Sequence, residues 1–118
     1  MPGTLVYFDM SGRAAPIRMM LDHKKVKYED KRIDQATFKA GKEKGEWGAL
    51  PVWIENGQTM NETKALVRYL GTVHGYYPKD AVMQWQADVW VDYAPTLITK
   101  IGPFMFKPAL EADGEKVM

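Results

Sequence analysis

The sequence predicts an α/β fold: a strand, a helix and a strand, then a two-stranded hairpin and a helix, in the order βαβ-ββα, with a further helical segment behind them. Three observations carry that prediction. An apolar run from Thr4 to Met10 is followed at once by a segment of helical period; the dipeptide Asn56-Gly57 separates two short β-prone runs; and apolar residues recur at helical spacing from Glu62 to His74. At 118 residues, with 46% hydrophobic, 12% aromatic and 26% charged, the chain has the composition of a folded domain and can bury a core.

Thr4 to Met10 is apolar, β-branched and aromatic and ends at Ser11-Gly12, as a buried strand followed by a turn does. From Arg13 to Lys24, residues Ala14, Ile17, Met20 and Leu21 share one side of a helix, and Pro16 lies in the first turn, where its missing N–H removes no bond. Val26 and Tyr28 alternate with charged neighbours up to Ile33, which predicts a second strand over 26–33, solvated on one side. Strand, helix and strand in so short a span close as a right-handed parallel unit. Asp34 to Gly48 is polar and broken by Gly41, Gly45 and Gly48, so it reads as a loop with at most a short helix near 36–40. Val52-Trp53-Ile54 and Gln58-Thr59-Met60 then form a hairpin about Asn56-Gly57, residues that accept positive φ cheaply.

In the next segment Leu66, Val67, Leu70 and Val73 repeat at helical spacing, with Thr63 predicted as the N-cap of a helix and Gly75 as its stop. Tyr76-Tyr77-Pro78 interrupts the pattern, which sets a boundary between a first domain over 1–78 and a helical region over 79–118. That region is predicted helical up to about Ala94, its state beyond Pro95 is left open, and its last residues, 111–118, read as a frayed tail. Trp85, Val89, Trp90, Leu97 and Ile101 surround this helix instead of lining one stripe, unlike a lone surface helix.

Several chemistries are excluded or disfavoured. The formal net charge is +1, so no chain-wide field recruits nucleic acid or anionic membrane. With no cysteine, disulfide scaffolds, thiolate metal sites and cysteine nucleophiles drop out together. His23 and His74 lack neighbours at ligand spacing, so no metal is expected. The glycines at 41, 45 and 48 do not form a phosphate-cradling motif, and acidic residues interleave the basic cluster from Lys24 to Arg32, as on a solvated face. The start lacks the basic and long apolar regions of a secretory signal and no stretch is apolar enough to span a bilayer, so a cytoplasmic protein is expected.

The hairpin is entered through Leu50-Pro51. A cis bond there turns the backbone so that Leu50 presents its N–H and C=O to a ligand; a trans bond is an ordinary strand start, which these residues by themselves favour, and only the surrounding context raises the cis reading. A βαβ-ββα order entered through such a proline describes a thioredoxin-like layer. At this point the residues carry a resemblance. Leu5-Val6-Tyr7-Phe8-Asp9-Met10-Ser11-Gly12-Arg13 with the helix after it, Ala49-Leu50-Pro51-Val52, and Asn61-Glu62-Thr63-Lys64-Ala65-Leu66 resemble, in order and spacing, three blocks of the cytosolic glutathione transferases of the tyrosine type, nearest the sigma, mu, pi and alpha classes. The match covers about positions 4 to 77 and continues weakly into the first helix of the family's all-α second domain.

The resemblance implies a glutathione-binding domain that takes glutathione as cosubstrate and needs no cofactor. It places the catalytic hydroxyl on Tyr7, whose hydrogen bond to the glutathione sulfur favours the thiolate. Arg13 supports the sulfur side, Phe8 packs toward the second substrate, and Phe38 stands where a tryptophan is common in the glutathione-binding loop. Lys42 takes the glycyl carboxylate, the backbone of Leu50 before Pro51 pairs with the cysteinyl unit, Thr63 and the helix start behind it receive the γ-glutamyl carboxylate, and Glu62 takes the ammonium. This sequence departs from the family at Phe38, at Ala49 in place of a glutamine or asparagine, and at Glu62-Thr63 in place of Gln-Ser. An acidic residue given across the dimer elsewhere falls here at Pro95 or Thr96, a turn from Asp92.

Two functions are therefore expected from the sequence. The leading one is activation of the glutathione thiol for conjugation to, or isomerisation of, an electrophilic small molecule. The alternative is a noncatalytic transferase-like module serving as a structural subunit of a larger assembly, since the helical half is begun and not continued. In either case a homodimer or another protein chain is expected to cover the helix bearing Trp85 and Trp90.

Overall fold

The computed structural model of the chain describes residues 2–41 and 48–105. They divide into two compact units, Met1–Pro78 and a second one from Lys79 on. The first holds strands β1 (Thr4–Phe8), β2 (Glu29–Ile33), β3 (Val52–Glu55) and β4 (Gln58–Met60) and helices α1 (Ala15–His23), α2 (Gln35–Lys39) and α3 (Thr63–Val73). The strands form one mixed sheet in the order β2-β1-β3-β4. β1 runs parallel to β2 and antiparallel to β3, and β3 and β4 pair antiparallel. This is the thioredoxin-like βαβ-ββα layer that the sequence predicts.

Period-2 alternation along β1 builds the two faces of the sheet. Leu5 and Tyr7 point to the side of Ala14, Ile17, Leu21, Leu66 and Leu70, which is the buried stripe of α1 and α3. Val6 points the other way and packs with Ile33 and Val52, where Phe38 of α2 covers it. Trp53, 2% exposed, is the largest buried side chain on the first face. Its neighbour Val52 belongs to the second, so both edges of the central pair obey the same alternation.

Several boundaries differ from the sequence reading, each for a local reason. β2 starts at Glu29, not Val26, because the Val26 amide donates to the Leu21 carbonyl (2.9 Å) and closes α1; Val26 and Tyr28 still pack against the core. The first helix is preceded by a 3-10 turn over Gly12–Ala14 and becomes α-helical at Ala15. α2 is the short helix expected in the polar loop, and its N-cap Asp34 accepts from the Thr37 amide at 2.7 Å, a bond that holds the Asp34 carboxyl below its usual range. The hairpin turn is as predicted, with φ of 50° at Asn56 and 75° at Gly57.

The N-cap of α3 is Glu62 and not Thr63, because the hydrogen-bond ladder already starts from the Glu62 carbonyl, which accepts from Leu66 N–H at 2.8 Å. At the other end Gly75 has φ of 80° and the helix closes through Tyr76 N–H to the Gly71 carbonyl, as the stop signal predicts.

The second unit, among the described residues, is one helix, α4 (Ala81–Met105). It is helical up to Ala94 as predicted and runs on through Pro95 and Pro103, the stretch that the sequence leaves open. A proline inside a helix removes one backbone bond, but a formed helix propagates through favourable residues on both sides; the Thr99 hydroxyl donates to the Pro95 carbonyl at 2.9 Å. Trp85 and Trp90 are 65% and 73% exposed, and Val89, Tyr93, Leu97, Ile98 and Ile101 are exposed too. No helix among the described residues is long and apolar enough to cross a membrane.

Tyr28 supplies a test of this packing. Burial, and then the Asp22 carboxylate that accepts its hydroxyl proton at 3.2 Å, push the Tyr28 phenol up to about 12. The unfolded chain loses that proton near pH ~10, so the contribution is complete below that pH and is lost as pH rises toward the folded value. Urea unfolding of wild type and Tyr28→Phe across this alkaline window should show the wild type losing stability more steeply. Parallel curves would contradict the burial of the hydroxyl.

Candidate active site

The topology gathers one end of the sheet. β1 leaves it at Phe8 beside Ile33, the last residue of parallel β2. β3 enters it next to Val52, which faces Val6, and antiparallel β4 returns to it at Met60, opposite Trp53. Leu50-Pro51, Glu62-Thr63, the 3-10 turn and α2 all follow or precede these strand ends, so they assemble at the carboxyl edge of the parallel pair, where open α/β sheets form their binding crevices.

Tyr7 is the penultimate residue of β1 and is 6% exposed, its ring packed in the core that also holds Ala14 and Ile17. The Arg13 amide donates to the Tyr7 hydroxyl at 3.0 Å. A phenol that accepts this bond keeps its own proton for a further acceptor. The turn that carries the amide fits closely: Gly12 has φ of 41°, and a Cβ built there would fall on the Tyr7 hydroxyl. Only a residue without a side chain lets the backbone pass so near.

Behind the loop stands Arg18 of α1, 8% exposed. Its guanidinium donates to the Met10 carbonyl at 2.6 Å and the Phe8 carbonyl at 3.4 Å, and its Nε to Asp30 at 3.1 Å. Asp30 is shared with Arg32, which also reaches Asp9 at 2.7 Å. Phe8, half-buried, lies 5.5 Å from the Tyr7 ring and meets Phe38 edge-on at 5.4 Å between centroids. On its far side is an open cleft of about 530 Å³ lined by Phe8, Asp9, Met10, Arg32, Ile33, Asp34 and Gln35.

The Leu50-Pro51 bond is cis. Leu50 is half-buried against both core clusters, so its backbone lies at the sheet end beside Phe8 and Phe38. Glu62, exposed, holds φ of 71° and ψ of 110°, a conformation that L side chains rarely adopt, and its side chain makes no capping bond to α3. Backbone strain of this kind gathers at ligand-binding positions.

A family model described as "Glutathione S-transferase, N-terminal domain" matches residues 1–72. The chain belongs to the glutathione S-transferase family. It is 40% identical over 88 residues to hematopoietic prostaglandin D synthase of Mus musculus, covering 75% of this chain and 44% of that protein. It is 30% identical over 116 residues to glutathione S-transferase 1 of Ascaris suum, covering 97% and 56%. The crystal structure of the glutathione S-transferase from Ascaris lumbricoides superposes with a TM-score of 0.81 at 27% identity, over 98% of this chain and 55% of that one. The chain thus spans about half the length of the relatives it matches.

Of the transferase residues expected from the sequence, Tyr7, Phe8, Arg13, Phe38, Leu50 and Pro51 come together at this edge, with Glu62 and Thr63 at the head of α3 on the same end of the sheet. Lys42 lies outside the described residues. Arg13, expected on the sulfur side of the site, contributes its backbone amide to the Tyr7 hydroxyl. Gly12 and Arg18 were missed as site residues. A glycine next to the site tyrosine and an arginine on the apolar stripe of Ala14, Ile17 and Leu21 were the available signals.

Gly12→Ala tests the close approach. Positive φ for a residue with a Cβ costs about 1–2 kcal/mol, and the clash with the hydroxyl adds to it. Denaturant unfolding should show a loss of at least that size in wild type and a smaller one in a Tyr7→Phe background. A neutral Gly12→Ala would contradict the placement of the turn.

Proposed function

We propose that the chain binds glutathione along this edge of the sheet and that Tyr7 donates its hydroxyl proton in a hydrogen bond to the sulfur, holding it as the thiolate for attack on an electrophilic small molecule. The observation that carries the reading is the Tyr7 hydroxyl, which accepts from the Arg13 amide at 3.0 Å at the same end of the sheet as the cis Leu50-Pro51 bond. The names of the relatives, a glutathione S-transferase and a prostaglandin D synthase, support conjugation and isomerisation as the two outcomes.

The energetics are sufficient. A free thiol of this type titrates near ~8.5, and a charge-assisted hydrogen bond contributes about 1.5–3 kcal/mol, or roughly one to two pH units in favour of the thiolate. The bound thiol is then substantially ionised at neutral pH. The thiol proton leaves to solvent at the ionisation step. The sulfur lone pair then forms the bond to the electrophilic carbon as the leaving group departs with its bonding pair, as halide does from an activated aryl halide.

The rest of the tripeptide is met by groups of matching chemistry. The backbone of Leu50 pairs with the cysteinyl unit, the N–H groups at the start of α3 and the Thr63 hydroxyl receive the γ-glutamyl carboxylate, and Glu62 takes the ammonium. Lys42 pairs with the glycyl carboxylate, and Phe38 supplies apolar contact. The electrophile occupies the cleft lined by Phe8, Met10 and Ile33 together with Asp9, Arg32 and Asp34.

The exposed apolar surface of α4 favours a second reading of the chain's partners. A helix with Trp85 and Trp90 more than half exposed calls for cover by another chain, either a second copy in a homodimer or a larger assembly in which the module is noncatalytic. Light scattering on the purified chain separates these: a stable monomer opposes both, a dimer supports the first, and stable association only with a different chain supports the second.

Titration with glutathione should show saturable binding. Tyr7→Phe should lower kcat toward an activated aryl halide roughly 10- to 100-fold with little change in KM for glutathione. Glu62→Gly should relieve the backbone and leave stability equal or higher, yet weaken glutathione binding about tenfold or more through the lost carboxylate. Absence of saturable binding, or unchanged turnover in Tyr7→Phe, would sink the reading.

A further inference from the structure

Among the described residues Arg18 is the one charged side chain that is buried. A buried ion pair is weak evidence for stability, because apolar residues of similar volume often do as well. Arg18 instead spends its donors on main-chain carbonyls of one loop: Met10 at 2.6 Å and Phe8 at 3.4 Å, while Asp30 on β2 fixes its Nε at 3.1 Å. The Phe8 carbonyl also accepts from the Met10 amide at 2.8 Å, so the clamp closes the turn at the end of β1. Three residues beyond Met10 is Arg13, whose amide holds the Tyr7 hydroxyl. The guanidinium carbon lies 5.8 Å from the Tyr7 ring centroid, within cation–π range. Arg18 therefore reaches Tyr7 from two directions: its ring directly, and its hydroxyl through the loop from Phe8 to Arg13.

We infer that Arg18 is a positioning residue: it fixes the loop from Phe8 to Arg13 so that the Arg13 amide stays on the Tyr7 hydroxyl and orients the phenol toward the sulfur. The catalytic part of this inference rests on the proposed role of Tyr7; the positioning part does not. The charged and titratable groups around Arg18 are Asp30 from β2, Tyr28 from the segment before β2, and Tyr7 from β1. Asp30 keeps Arg32 as a partner at 3.0 Å when Arg18 is replaced, so a neutral substitution does not strand its carboxylate. The arrangement also separates two roles of one side chain. A lysine at 18 keeps the charge but cannot span Asp30 and two carbonyls with a planar fork.

The test compares Arg18→Met, Arg18→Lys and Tyr7→Phe by amide hydrogen exchange and by steady-state kinetics on the full chain. In both Arg18 variants, protection of the Arg13 amide should fall about tenfold or more relative to the amides of β1 and β3, the signature of local and not global opening. Tyr7→Phe should expose the same amide without disturbing the sheet. With glutathione as substrate, kcat should fall roughly 10- to 100-fold in Arg18→Met with KM nearly constant, and the pH profile should move toward higher pH as thiolate is lost. Arg18→Lys should recover part of the rate. Unchanged protection at Arg13, or an equal fall in protection throughout the sheet, overturns the inference. An effect on exchange and kcat of Tyr7→Phe that neither Arg18 variant shares overturns it as well. Wild-type chain that does not bind glutathione overturns the reading of Tyr7 and with it the catalytic half of the inference, while the exchange result still decides the positioning half.

Discussion

The Arg13 amide and the Tyr7 hydroxyl meet at 3.0 Å, and much of the first unit is arranged so that they can. The bond requires β1 to end one residue after Tyr7, a glycine at 12 so that the backbone can pass against the phenol, and a 3-10 turn that aims the amide inward before α1 begins. It requires the loop between them to be held, which Arg18 does through two carbonyls. The amide donates to the Tyr7 oxygen, which biases the hydroxyl to give its proton to another acceptor. The sheet acts on the site by setting where each chain end emerges.

Chemistry that is scattered along the sequence becomes local through strand direction. β1 and β2 run parallel and so end on the same edge, and two antiparallel pairings bring the start of β3 and the end of β4 back to it. Tyr7, Leu50 and Glu62 are separated by as much as half the chain, yet all are placed by strand ends or by the cap of a helix, and Phe38 comes from the short helix that follows β2. Such positions are rigid without being buried in regular hydrogen bonding, so backbone groups and strained residues such as Glu62 stay available to a ligand. The exposed apolar residues of α4 belong to the second unit, and Tyr7 and Arg18 belong to the first.

The features carried by short-range chemistry were legible in the sequence. The alternation of Leu5, Val6 and Tyr7, the Asn56-Gly57 turn, the Gly75 stop and the position of Pro51 each follow from a local preference, and together with three motif blocks they specify the fold and the family. What was not legible depends on tertiary partners. Arg18 reads as an ordinary helical arginine until Asp30, twelve residues away, is seen to share its pocket. Thr63 is a better cap than Glu62 by propensity, but the turn out of β4 places Glu62 at the cap with positive φ. β2 begins late because α1 uses Val26 to close itself, and α4 passes Pro95 because helix propagation outweighs one missing bond. In each case a long-range or cooperative term overrode a local one.

The proton balance of glutathione binding is the most direct measurement of thiolate formation at Tyr7. Calorimetric titration at neutral pH in buffers of different ionisation enthalpy counts the protons released when the tripeptide binds. Release of a large fraction of one proton by the wild-type chain, and of far less by Tyr7→Phe at similar affinity, is the predicted result. Binding with no proton release, or with the same release in both, would contradict a role for the Tyr7 hydroxyl in ionising the thiol.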